Sequence, residues 1–110
     1  MKLKPLSLAA LLATTLSAQA QTEITWWHSM TAFNNEWVNT LAKQFNESQK
    51  TYKVTPIYKG SYDESMTAAI AAYRAGNAPH ILQVFEVGTA TMMASKGAVV
   101  PAGKVMADAG

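Results

Sequence analysis

A chain of 110 residues with nine basic and seven acidic side chains, no cysteine and 49% apolar residues has the composition of one small domain. Lys2 and Lys4 lie in the first twenty residues, which hold no acidic side chain, so the remainder carries seven basic against seven acidic groups and is formally neutral. That balance argues against nucleic acid as a partner, which calls for a clustered basic face, and the lack of cysteine excludes a disulfide framework.

Residues 1–20 have the three parts of a secretory signal: Lys2 and Lys4, an apolar run from Leu6 to Leu16, and Ala18-Gln19-Ala20 as a small-x-small cleavage site. The run is too short for a bilayer core, which takes about twenty residues. Cleavage is expected before Gln21, and with no cysteine there a soluble, exported product is expected rather than a lipid-anchored one. Residues 21–110 are expected to be an incomplete domain, since Pro101 to Gly110 reads as the opening of a further helix.

Glu23 to His28 (EITWWH) is short and rich in β-formers, which predicts a first strand buried on both faces. From Thr31 to Glu47, Val38, Leu41, Ala42 and Phe45 recur at helical spacing with Trp37 beside them, and Asn46, Ser48 and Gln49 supply a break. Tyr52 to Tyr58 alternates as a second strand, with Pro56 marking an edge position or a bulge. Ser61 and Glu64 stand at capping-box spacing ahead of a helix whose apolar stripe is Met66, Ala69, Ile70 and Tyr73, ended by Gly76 and Asn77 with Pro79 beyond. His80 to Phe85 predicts a third strand. After Gly88-Thr89-Ala90 a helix through Met92, Met93 and Lys96 is closed by Gly97. This β-α-β-α-β-α order predicts an α/β fold on a parallel sheet, with ligands beyond the carboxyl ends of its strands.

Those ends present His28-Ser29, Gly60-Ser61-Tyr62 and Glu86-Val87-Gly88. A carboxylate, a phenol, hydroxyls and helix amino-termini suit a small polyol or anion. Glu86, straight after an apolar strand, needs solvent or a hydrogen-bonding ligand. The Tyr62 ring either faces a cleft or packs on the sheet. Trp26 and Trp27 point to opposite faces, so at most one looks into a site, and core packing is the expectation for the pair. His28 either touches ligand or caps the next helix, with the structural role favoured; Ser29 and Ser61 are rim candidates. Met92-Met93 is read as helix packing. With His28 and His80 as the only histidines, no HExxH, no GxSxG elbow and no P-loop, the chain lacks the common enzyme motifs, and no metal or cofactor is expected.

Three stretches, WHSM at Trp27 to Met30, YKGSY ending at Tyr62, and RAGNAPHILQVFEVGTATMMASKGA from Arg74, closely resemble the solute-binding proteins of ABC importers related to maltose-binding protein, in their glycerol-phosphate branch. The final AGKVMADAG is less specific. The resemblance implies a periplasmic, non-catalytic monomer whose two α/β lobes close on sn-glycerol 3-phosphate, with glycerophosphodiesters as further ligands, and deliver it to the permease subunits. It implies Tyr62 and Glu86 as ligand contacts of the first lobe, with an arginine and serines supplied by chain not included here. A maltose-like sugar on the same fold is the alternative, and an exported α/β hydrolase using Glu86 or His28 a more distant one.

Overall fold

The computed structural model describes residues 20–110. In chain order these form β1 (Thr22–His28), α1 (Ala32–Ser48), β2 (Tyr52–Tyr58), α2 (Tyr62–Arg74), β3 (Ile81–Leu82), a 3-10 turn over Glu86–Gly88, α3 (Thr89–Ala94) and α4 (Ala102–Ala109). The strands are parallel in the order β2-β1-β3, which places β1 at the centre. The expected α/β alternation on a parallel sheet is what folds. Residues 1–19 of the expected export signal lie outside the described residues, among which no helix is long and apolar enough to cross a membrane.

β1 and β2 pair in unbroken register from Thr22 opposite Tyr52 to His28 opposite Tyr58, so of the two alternatives for Pro56 it is the edge strand, not a bulge, that holds it. Its position within that strand follows from Val54. The Val54 amide and carbonyl are both bonded to the Asn46 side chain, at 2.7 and 2.8 Å, so they face away from β1. Residues two apart on a strand point the same way, so the missing amide of Pro56 also faces outward and no ladder bond is lost. Asn46 at the same time occupies backbone groups of an edge that would otherwise be open for pairing.

Asn46 and Ser48 therefore do not break α1, as the sequence suggested; both are helical, and the break is Gln49, the C-cap. Its Oε1 accepts the Thr51 and Tyr52 amides at 2.8 Å each, shaping the turn into β2. The expected stripe on α1 divides. Val38 and Ala42 are buried, while Trp37, Leu41 and Phe45 continue a row with Phe33 that stays exposed. The two rows are adjacent on the helix surface, and a sheet of three strands is too narrow to cover both. For the same reason β1 is not buried on both faces: Ile24 to Trp27 are half-buried. On α2 the inward residues are Ser65 and Ala69, and Tyr73 is exposed.

α2 closes with Gly76 at φ +76°, its amide on the Tyr73 carbonyl and the Asn77 amide on the Ala72 carbonyl. These two bonds make the Schellman ending, which needs a residue at positive φ and so favours glycine. β3 is much shorter than the expected His80–Phe85. At both of its ends a side chain joins the backbone bonds that His80 and Gln83 donate to the Thr25 and Trp27 carbonyls: the His80 ring accepts the Thr25 amide through Nδ1 at 3.1 Å, and Gln83 Oε1 accepts the Ser29 amide at 3.0 Å. α3 is also shorter than expected. Thr89 and Ala90 begin it instead of preceding it, and Lys96 lies beyond its end.

Candidate functional site

Because β1 is central, the turn that leaves it lies between the exits of β2 and β3, so the three segments singled out from the sequence share one rim. His28 ends β1 and is 1% exposed. Its Nδ1 accepts the Met30 amide at 3.2 Å, which leaves the proton of the neutral ring on Nε2. Burial pushes its pKa below the ordinary 6.5. His28 thus braces the turn from beneath and presents no surface to the rim. The cap of α1, Thr31, makes no side-chain bond, and Ala32 after it holds φ +47°, a left-handed conformation uncommon for a residue with a Cβ. Ser29 donates its amide to Gln83 and keeps a buried hydroxyl without a hydrogen-bond partner among the described residues.

At the β2 exit Gly60 turns the chain at φ +84°, and a Cβ there would lie 2.3 Å from Glu64 Oε2. The space is needed because Glu64 reaches back to accept the Ser61 amide at 2.7 Å while Ser61 Oγ accepts the Glu64 amide at 3.3 Å. The amide bond from Ser61, followed by its hydroxyl, holds the Glu64 carboxyl below the usual range. The Ser61 hydroxyl is therefore engaged in starting α2. Tyr62, the first residue of that helix, is half-buried and stacks on Phe85 with ring centres 5.2 Å apart and 25° between planes.

Phe85 immediately precedes Glu86, so this stack carries the Tyr62 ring from the β2 exit across to the β3 exit. Gly88, buried, lies beneath it: a Cβ there would meet Phe85 Cε1 at 2.9 Å and Met66 Sδ at 3.0 Å. The Glu86 side chain is exposed at the head of the 3-10 turn. The structure thus brings Tyr62 and Glu86 to neighbouring places, keeps Ser29 on the same rim, and engages His28 and Ser61 in hydrogen bonds that shape the turns.

Three residues here were not singled out for a site from the sequence. Phe85 and Gln83 were simply residues of the predicted third strand, and Lys59 carried no local signal. The Lys59 ammonium lies 3.9 Å from the Trp27 ring centre, so Trp27 is not simply core. Of the methionine pair, Met92 is half-buried and Met93 exposed. A separate apolar groove of about 750 Å³ lies away from the rim, lined by Ile70, Tyr73, Ile81 and Val99 among others.

No protein-family model matches the chain. It is 52% identical over 106 residues to the sn-glycerol-3-phosphate-binding periplasmic protein UgpB of Brucella suis, an alignment covering 94% of this chain and 24% of that one. The protein of that name from Pectobacterium atrosepticum is 57% identical over 93 residues, 84% of this chain and 21% of the relative. That from Agrobacterium fabrum is 50% identical over 116 aligned positions, 100% and 27% respectively. The chain spans about a quarter of the length of the curated relatives it matches. At about half identity over nearly its whole length, the chain is a homologue of that portion of the periplasmic sn-glycerol-3-phosphate-binding proteins.

Proposed function

We propose that this chain supplies the opening of the first lobe of a periplasmic solute-binding protein that captures sn-glycerol 3-phosphate, and glycerophosphodiesters, for delivery to ABC permease subunits. The observation that carries the reading is the convergence of Tyr62 and Glu86 through the Phe85 stack, at the carboxyl rim of a parallel sheet, in a chain half identical to proteins named for that ligand. Glu86 takes the glycerol hydroxyls, since a carboxylate facing the phosphate dianion would be repelled. Tyr62 donates a hydrogen bond from its phenol. In this reading residues 1–20 are a cleaved export signal, residues 21–110 begin the lobe, and the assembled protein works as a monomer without catalysis, closing two lobes on the ligand.

Calorimetry on a graft tests it, with residues 21–110 replacing the aligned quarter of the Brucella suis relative. Binding of sn-glycerol 3-phosphate and not of maltose is expected. Glu86→Ala should weaken it about tenfold or more and Tyr62→Phe by somewhat less. Binding of maltose alone would move the site to sugars, and release of phosphate from glycerophosphodiesters would make it a hydrolase.

A further inference from the structure

We propose that Lys59 is a specificity residue that meets the ligand's phosphate from the β2 side, so that the ligand lies across the end of β1 with its phosphate towards β2 and its hydroxyls at Glu86. This rests on the glycerol-phosphate reading above and adds an orientation to it. Lys59 is the residue directly after β2, and its amide is bonded to the His28 carbonyl at 2.9 Å, which fixes its backbone at the rim. Its ammonium rests on the face of Trp27. Among the described residues the ion pairs are Lys43 with Glu47 and Lys104 with Asp108, both on exposed helix surfaces, and no carboxylate pairs with Lys59.

An aromatic face is a weaker counter-charge than phosphate oxygens, so a cation held there is close to the rim and available to an arriving anion. The strand order sorts the two ends of the ligand. Lys59 directly follows β2 and Glu86 lies four residues beyond β3, on either side of β1. Neighbouring strands are about 4.8 Å apart, so the two exits are separated by about 10 Å. Opposite charges at the two exits leave one favourable orientation.

In the same graft, Lys59→Gln is expected to weaken sn-glycerol 3-phosphate about tenfold or more, and Lys59→Arg to restore most of that loss. Glycerophosphocholine, whose phosphodiester carries one negative charge where the monoester carries nearly two, should lose less. The ratio of the two losses is the deciding quantity, because loosening of the β1–β2 rim would weaken both ligands alike. Thermal melts of each variant confirm that it is folded. Ligand addition should also change Trp27 emission, in a graft with its other tryptophans replaced by phenylalanine, and the change should shrink in Lys59→Gln. Unchanged affinity, or equal loss for both ligands, overturns the role of Lys59 and leaves the glycerol-phosphate site standing. A folded graft that binds neither ligand overturns the reading of the site and this inference with it.

Discussion

His28 shows how much of a strand-end residue's behaviour is set by its surroundings. In the unfolded chain it titrates near 6.5, and burial lowers that value in the fold. Above 6.5 both states are neutral and the Met30 contact is intact. As pH falls below 6.5 the unfolded state gains a proton that the folded state takes up only at lower pH, so stability declines until the folded value is passed. Denaturant titrations from about pH 7 to pH 5 should show that decline, and His28→Asn should flatten it. Glu64 acts in a separate window: its lowered carboxyl contributes above 4.5 and the contribution is lost as pH falls further. Gly88→Ala should destabilise by about 1–3 kcal/mol, because the new methyl displaces Phe85 or Met66. Since Phe85 carries Tyr62, near-UV circular dichroism should report the lost stack, and ligand affinity in the graft should fall with it.

Among the elements, α2 is bounded by side-chain and backbone bonds that its own sequence encodes at both ends. Ser61→Ala removes one half of the capping box and should cost about 1 kcal/mol in a denaturant melt. The same change should leave ligand affinity in the graft nearly unaltered if the Ser61 hydroxyl serves only the cap. β3 depends instead on partners distant in sequence, and α1 is fastened to the strand that follows it. Asn46→Ala exposes the Val54 amide and carbonyl on the edge of β2 and should cost about 1 kcal/mol, with faster hydrogen exchange at Val54 as the direct readout.

For the molecule as a whole, the buried apolar side chains among the described residues are Val38, Ala42 and Ala69, while Phe33, Trp37, Val105 and Met106 remain more than half exposed. So little enclosed apolar surface supports only a weakly cooperative fold. Residues 21–110 alone should give a shallow thermal transition and bind a hydrophobic dye, and the graft a sharper transition with less dye. A sharp, dye-free melt of residues 21–110 would show that this core suffices.

What local sequence determined is what short-range chemistry encodes: the alternation of strands and helices, the capping box at Ser61 and the glycine ending at Gly76, while Pro56 was narrowed to an edge or a bulge. Each depends on residues within a few positions of one another, or on a period of two or 3.6. The candidate pair Tyr62 and Glu86 was legible partly for that reason, since both stand where a strand gives way to a helical turn, and partly through the resemblance of the stretches around them. The stack that joins Tyr62 to Phe85, the Lys59 ammonium on Trp27, the Gln83 bond to Ser29 and the shortening of β3 were decided by tertiary structure. They link residues up to 55 positions apart through side-chain geometry, and neither periodicity nor propensity specifies which two side chains will meet once the strands are in register.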